Sequence, residues 1–233
     1  MRIVASTAIP RALDERSESD ARPAAIKVAI IDDDEAMCRA LARLLTAFGL
    51  QAVSFPKPRD FLNTSIRAVV DCVLIDLCMP EIDGLGLQQI LSEEQPQLSV
   101  VFITGIGNVP ASVEAMKNGA VDFLLKPVNA GALVRAVTAA AERSRARKAS
   151  YDRLITLKRA YQKLTPRERQ IFGLIVDGSL NKQAAADLGI SEKTVKVHRA
   201  RVMRKMSANS LAELARMAER LGTGAAAVHA SLR

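Results

Sequence analysis

Polar side chains that could carry phosphoryl chemistry follow four apolar runs in the first half of the chain. They are, in chain order, Asp32, Asp33, Asp76, Thr104 and Lys126. Clustered carboxylates repel one another unless a hard cation joins them, and Mg²⁺ prefers oxygen ligands. A carboxylate can also attack phosphorus to form an acyl phosphate, whose charge a metal ion, an ammonium and a hydroxyl would stabilise. These residue types predict a phosphoryl-accepting site, provided that the fold brings them together.

The elements that must position these side chains are strands. Apolar runs of strand length, at residues 28–31, 52–55, 69–75, 100–103 and 121–125, alternate with segments of helical spacing. Such alternation indicates a parallel sheet covered by helices on both faces. We therefore predict an α/β domain with a five-stranded, parallel, doubly wound sheet of the flavodoxin-like type and five helices. Functional groups of such a sheet lie at the carboxyl ends of its strands, which is where each polar residue falls.

The segments IIDDDE, VLIDLCMPEIDG, VFITG and FLLKP, in this order and spacing, resemble the receiver domain of two-component response regulators. The resemblance covers about residues 26–140. It implies that Asp76 accepts a phosphoryl group from a sensor histidine kinase. It also implies a Mg²⁺ site formed by Asp32, Asp33, Asp76 and the backbone carbonyl of Cys78, with Asp33 as a direct ligand.

The same resemblance assigns roles to residues at the ends of the later strands. Thr104 and Lys126 would contact the phosphoryl group, and the Lys126–Pro127 peptide bond would be cis, which proline permits at low cost. Phe123 matches an aromatic switch position, although a plain core residue is an equal alternative. Asp34 is interpreted instead as the start of the first helix, where negative charge suits the helix dipole.

The loop after the fourth strand departs from the pattern of the FixJ-like subgroup. That subgroup has a histidine after the first glycine and an acidic residue after the second, where this chain has Ile106 and Asn108. The change could alter the polarity or dynamics of the loop, but it leaves the phosphorylation chemistry intact. Gly105 and Gly107 imitate part of a dinucleotide-binding fingerprint, but the third glycine is missing, so we discount NAD binding.

The last third of the chain predicts a helix-turn-helix. Four short helices fit within residues 164–221. Thr165 and Glu168 have the spacing of a capping box at the start of the first, with proline between them. A short helix at residues 181–188 is followed by a turn at Gly189. Ser191 then caps the next helix. The segment from LTPRERQ to VMRKM resembles the four-helix DNA-binding domain of the LuxR/FixJ (NarL) family.

The helix that begins after Ser191 carries a basic stripe. Its members, at helical spacing, are Lys193, Lys196, Val197, Ala200, Arg201 and Arg204, while Val195, Val202 and Met206 would face inward. A charged face of this kind is often merely solvated, but the caps and the turn favour a helix that enters the major groove. By resemblance, Lys196, Val197 and Ala200 face the bases. The candidates for phosphate contacts are Thr165, Asn181, Lys182, Thr194, Arg199 and Arg204, and Arg201 is a further candidate DNA contact.

Composition excludes several other classes of protein. The three cysteines, Cys38, Cys72 and Cys78, form no CxxC pair, so a disulfide framework or a zinc site is not expected and a reducing cytoplasm fits best. The chain has only two histidines. No apolar run approaches the roughly 20 residues of a membrane span, and the N-terminus lacks the apolar core of a signal peptide.

Charge divides the chain into two parts. Residues 26–140 hold 9 basic and 13 acidic residues, whereas residues 141–233 hold 20 basic and 8 acidic residues, which suits phosphate binding. We predict a disordered tail at 1–25, a receiver domain at 26–142, a helical linker at 143–163, the helix-turn-helix domain at 164–222 and a flexible tail at 223–233. The linker could be continuous with the fifth helix of the receiver.

These features together predict a response regulator of the FixJ-like subgroup. Its partners would be a sensor histidine kinase, promoter DNA, a second copy of the chain after phosphorylation, and RNA polymerase, with transcription activated as in most such relatives. Two alternatives stay open. One is a phosphatase with an aspartyl nucleophile, although Leu77 and Cys78 follow Asp76 where a second acid is needed. The other is a DNA-binding protein that does not depend on phosphorylation.

Overall fold

A computed structural model describes residues 25–105 and 109–223. Its first part contains a five-stranded parallel sheet with the order β2-β1-β3-β4-β5. The strands are β1 (Lys27–Ile31), β2 (Gln51–Phe55), β3 (Cys72–Asp76), β4 (Ser99–Thr104) and β5 (Asp122–Leu125). This sheet confirms the predicted fold class. The predicted tails at residues 1–25 and 223–233 lie almost wholly outside the described residues, as do Ile106 and Asn108.

The helices of the first part cover both faces of the sheet. They are α1 (Glu35–Ala47), α2 (Pro58–Leu62), α3 (Gly84–Glu94), α4 (Val109–Lys117) and α5 (Ala130–Gln162), with a 3₁₀ turn at Ser65–Ala68. One core lies between the sheet and α2, α3 and α4, and contains Phe61, Leu87 and Phe102. The other lies between the sheet and α1 and α5, and contains Leu45, Leu74 and Val137.

The third strand is shorter at its start than the apolar run at residues 69–75 predicts. Val69 ends the 3₁₀ turn and is exposed, and the strand begins only at Cys72. Between them, the carboxylate of Asp71 accepts hydrogen bonds from the Lys27 backbone N–H at 2.9 Å and from the Arg145 guanidinium at 2.9 Å. Burial alone would raise the pKa of Asp71, but the hydrogen bonds from Arg145 and the Lys27 backbone, together with the charge of Arg145, lower it. The Asp71 N–H also donates to the Lys27 carbonyl at 2.7 Å, so residue 71 bonds to β1 just before the strand begins.

The predicted linker is continuous with the fifth helix. α5 is 33 residues long, and its first half packs in the receiver core through residues such as Leu133 and Ala140. Leu157, Ala160 and Tyr161, in its second half, pack against the core of the C-terminal helices. One helix therefore contributes side chains to both cores. Within the described ranges, no helix combines enough length and apolar character to cross a membrane.

Four helices follow, as the sequence predicts: α6 (Pro166–Val176), α7 (Asn181–Leu188), α8 (Glu192–Met206) and α9 (Leu211–Leu221). The predicted capping box is present, because Thr165 Oγ1 accepts from the Glu168 N–H and Glu168 Oε2 accepts from the Thr165 N–H. Glu168 is buried, and Lys205 Nζ lies 2.6 Å from its Oε2. Burial alone would raise the pKa of Glu168, but the hydrogen bonds from Lys205 and Thr165 lower it.

We expect Glu168→Gln to destabilise the C-terminal domain by about 1–3 kcal/mol at neutral pH. The variant keeps an acceptor for Thr165 but removes the charge that pairs with Lys205. Because the folded pKa of Glu168 is lowered, its contribution to stability is present above the ordinary value of 4.5 and is lost as the pH falls through the folded value. The difference between variant and wild type should therefore shrink in acid.

Urea unfolding followed by tyrosine fluorescence measures this effect, because both tyrosines lie in the second half of α5. Glu219→Gln, on the exposed side of α9, is the matched control and should change the free energy of unfolding by no more than about 0.5 kcal/mol. An equal destabilisation by Glu168→Gln at neutral and acidic pH would contradict the ionic role.

Candidate phosphoacceptor and DNA-binding sites

The acidic site lies at the carboxyl ends of β1, β3, β4 and β5. Asp76 is the last residue of β3, and Asp32 directly follows β1, its neighbour in the sheet. Lys126 follows β5 and its Nζ lies 2.7 Å from Asp76 Oδ1 and 2.8 Å from Asp32 Oδ2. The structure thus brings together two carboxylates and an ammonium that the sequence places 44 to 94 residues apart.

Burial and charge compete at this site. Desolvation raises the pKa of Asp32 despite its hydrogen bonds from Lys126 and from the Asp34 backbone, and the nearby charge of Asp76 adds to the rise. Burial alone would lower the pKa of Lys126, but hydrogen bonds and attraction from Asp32 and Asp76 outweigh burial and raise it. Ionised Asp32 is therefore costly, and the site favours a cation beside its carboxylates.

Backbone N–H groups hold the carboxylates in place, and a thiol bonds the backbone of Asp32. The Asp34 N–H donates to Asp32 Oδ1 at 2.9 Å, and the Cys78 N–H donates to Asp76 Oδ2 at 2.8 Å. The buried thiol of Cys38 donates to the Asp32 carbonyl at 3.3 Å, a contact that the sequence analysis missed. Asp34 caps α1 by accepting from the N–H groups of its first turn, as predicted. The orientation of both carboxylates is therefore set locally.

The other predicted residues lie around this centre. Thr104 is buried at the end of β4, and its carbonyl accepts from the Lys126 N–H at 2.8 Å. The Lys126–Pro127 peptide bond is cis. Phe123 is half-buried on β5, with its ring centroid 6.3 Å from that of Phe102. Asp33 is exposed beside Asp32.

The donor set suits a hard cation held partly by water. Among the described residues, no three His, Cys, Asp or Glu side chains cluster closely enough to form a metal cage. Mg²⁺ in proteins usually keeps several waters and takes only one or two carboxylates, so the absence of a cage among these residues is compatible with it. Burial and the neighbouring charge of Asp76 raise the pKa of Asp32. A divalent cation beside this carboxylate would stabilise its ionised form.

The basic stripe on α8 is exposed, as predicted. Val195, Val202 and Met206 are buried in the core of the four helices. All six members of the stripe are exposed: Lys193, Lys196, Val197, Ala200, Arg201 and Arg204. Lys182, near the start of α7, and Thr194 are also exposed, and the Thr194 hydroxyl lies 2.8 Å from that of Ser191. The outward face of α8 can therefore present cations to a phosphate backbone.

Arg199 and Asn181 differ from the other predicted DNA contacts. Both are half-buried, and Arg199 Nη1 donates to Asn181 Oδ1 at 3.0 Å. Both are candidate phosphate contacts by resemblance, which does not predict this bond. The helical phase of Arg199 relative to Val195 and Val202 was the signal that could have found it.

We expect Lys126→Met to lower the stability of the metal-free receiver by about 1–3 kcal/mol, because it leaves two buried carboxylates without their cation. The variant should also gain more thermal stability from added Mg²⁺ than the wild type does, since Lys126 no longer competes for the carboxylate oxygens. Melting temperatures across a Mg²⁺ titration measure both effects. Lys117→Met, at an exposed position on α4, is the control; equal melting curves for the two variants would contradict the account.

Comparisons with known proteins match both halves of the chain. The model of the response regulator receiver domain matches residues 28–138, and the model of bacterial regulatory proteins of the luxR family matches residues 162–218. Nodulation protein W of Bradyrhizobium diazoefficiens is 42% identical over 198 residues, which cover 85% of this chain and 87% of that protein. Transcriptional regulatory protein FixJ of Rhizobium meliloti is 39% identical over 197 residues, covering 84% and 97%.

A solved structure extends the similarity to the full fold. The low-resolution structure of the response regulator StyR aligns with a TM-score of 0.75 at 34% identity and covers 84% of this chain and 100% of that one. Members of this family regulate transcription, which removes the phosphatase alternative. The chain therefore belongs to the FixJ/NarL-type response regulators: it is a two-component response regulator with a receiver domain and a LuxR-type DNA-binding domain.

Proposed function

We propose that a sensor histidine kinase phosphorylates Asp76 and that this event controls DNA binding. The observation that carries the proposal is the buried group in which Lys126 bonds both Asp76 and Asp32. A carboxylate at a strand end, with an ammonium within 2.7 Å, combines a nucleophile with a group that stabilises developing negative charge.

The residues of the site have distinct roles in this proposal. An oxygen of Asp76 attacks the phosphorus of a phosphohistidine, and the bond to the histidine nitrogen breaks as the acyl phosphate forms. Lys126 moves from the carboxylates to the new phosphoryl oxygens. Mg²⁺, which receiver domains generally bind here, would be held by Asp32, Asp33, Asp76 and the Cys78 carbonyl and would neutralise phosphoryl charge.

Thr104 and Phe123 would link phosphorylation of Asp76 to a conformational change at the surface of the receiver. The Thr104 hydroxyl turns toward the phosphoryl group, and the half-buried Phe123 moves into the space that this opens. Val113 and Met116 on α4 are each 47% exposed, and Leu125 on β5 is 56% exposed. An apolar patch of this kind suits a second copy of the chain, so we place homodimerisation on the face formed by α4, β5 and α5.

A dimer would present two copies of α8 to DNA. Lys196, Val197 and Ala200 would face the bases, while Lys182, Thr194, Arg201 and Arg204 would contact phosphates. Two such helices can bind half-sites roughly one helical turn, about 34 Å, apart. By analogy with the transcriptional regulatory protein FixJ, the bound dimer would recruit RNA polymerase and activate transcription.

Incubation of the purified chain with acetyl phosphate should add one phosphoryl group, and only in the presence of Mg²⁺. Asp76→Asn should abolish the mass gain, because the amide is not a nucleophile toward phosphorus. Asp83→Asn is the matched control: Asp83 caps α3 in the following loop, and asparagine caps equally well. Intact mass spectrometry measures the gain; modification of Asp76→Asn at the wild-type level would refute the assignment.

Val113→Asp should prevent dimerisation of the phosphorylated chain while leaving phosphorylation itself unchanged, because it places a charge in the proposed apolar interface. Val69→Asp makes the same substitution at a position of similar exposure, 53%, outside this face. Sedimentation velocity of both variants after acetyl phosphate treatment separates the outcomes. If Val113→Asp dimerises as the control does, the interface lies elsewhere.

A further inference from the structure

The helical phase of α8 divides its basic residues into two groups. Arg199 lies four residues after Val195 and three before Val202, both of which are fully buried. Positions three and four apart lie on the same side of a helix, so Arg199 belongs to the inward side. The exposed cations Arg201 and Arg204 lie on the opposite side of the helix. Arg199 is therefore poorly placed for a direct phosphate contact.

The guanidinium of Arg199 is instead committed to α7. Its Nη1 donates to Oδ1 of Asn181, the first residue of α7, at 3.0 Å. Leu180, which precedes that helix, has no side-chain oxygen to cap it, and Gln183 Oε1 accepts the Leu180 N–H at 2.8 Å instead. The bond between Arg199 and Asn181 thus ties the start of α7 to the middle of the helix that carries the basic stripe.

This contact fixes the orientation of the Asn181 amide. An arginine side chain can only donate hydrogen bonds, so the amide must turn its oxygen toward Arg199. The NH₂ group of Asn181, with two donors, then points away from Arg199. Phosphate oxygens only accept hydrogen bonds, so an asparagine held in this way offers them donors without needing a charge.

We propose that Arg199 is a positioning residue for DNA binding. It holds α7 against α8 and orients the Asn181 amide so that its NH₂ group donates to a backbone phosphate, while Arg199 itself contacts no phosphate. The inference rests on the proposed function, because it requires the C-terminal domain to bind DNA.

The salt dependence of DNA binding separates a positioning arginine from a phosphate-binding one. The probe is a duplex that the phosphorylated full-length wild type selects from a random-sequence library. Arg201→Gln, at an exposed position of the stripe, should reduce the slope of log affinity against log salt by about 0.9, as expected for one lost phosphate contact. Arg199→Gln should weaken binding about tenfold with the slope unchanged.

Arg199→Lys keeps a donor for Asn181 and should recover most of the affinity that Arg199→Gln loses. A slope reduced by Arg199→Gln as much as by Arg201→Gln would overturn the inference, since it would place Arg199 on a phosphate.

A second pair of variants tests the role of Asn181. Asn181→Asp keeps the acceptor for Arg199 and turns the contact into an ion pair, so the melting temperature should be maintained or raised. It removes both amide donors, so affinity for the selected duplex should fall by at least about tenfold. Gln183→Glu adds the same charge to the same turn and keeps the acceptor for Leu180, so it measures the effect of charge alone.

Equal losses of affinity in Asn181→Asp and Gln183→Glu would overturn the proposed donor role of Asn181. If the wild type selects no sequence from the library, the proposed function fails rather than this inference. If the wild type selects a sequence and the Asn181 and Arg199 variants bind it as the wild type does, only the inference fails.

Discussion

Lys126 pairs with two buried carboxylates, and the acidic site of the receiver half is organised around that contact. The strand order places β1 beside β3, so Asp32 and Asp76 meet at one edge of the sheet, where their charges repel. The ammonium reaches them from the end of β5, past Thr104 at the end of β4. One ammonium thus faces two carboxylates, so a cation would be favoured beside them, and we expect a change in charge at Asp76 to alter the position of Lys126.

The long helix α5 connects the receiver to the C-terminal helices, because it packs against the cores of both. It contributes buried residues to the receiver core and packs Leu157, Ala160 and Tyr161 against the other core. At the end of this helix, Lys205 of α8 donates to the Lys163 carbonyl and pairs with Glu168. A continuous helix with contacts of this kind can couple movement in one half to the other without a flexible joint.

The sequence was sufficient for the sheet and for the convergence of Asp32, Asp76 and Lys126, because strand ends in a parallel sheet converge by geometry. The sequence was less reliable for the start of β3. The apolar run begins at Val69, but the strand begins only at Cys72, after the Asp71 carboxylate that bonds Lys27 and Arg145. The pairing of Glu168 with Lys205 joins residues 37 apart, and no local pattern encodes it. Arg199 shows a different limit: resemblance makes it a candidate DNA contact and does not predict the hydrogen bond by which this half-buried side chain contacts Asn181.

The central claim is that phosphorylation of Asp76 controls DNA binding, and one comparison tests it directly. The affinity of the full-length chain for a duplex selected from a random-sequence library would be measured before and after treatment with acetyl phosphate and Mg²⁺, in the wild type and in Asp76→Asn. The account predicts a gain of at least about tenfold in the wild type alone, within the usual range of coupling between sites. The same affinity in all four samples would contradict it and would identify a DNA-binding protein that is independent of phosphorylation.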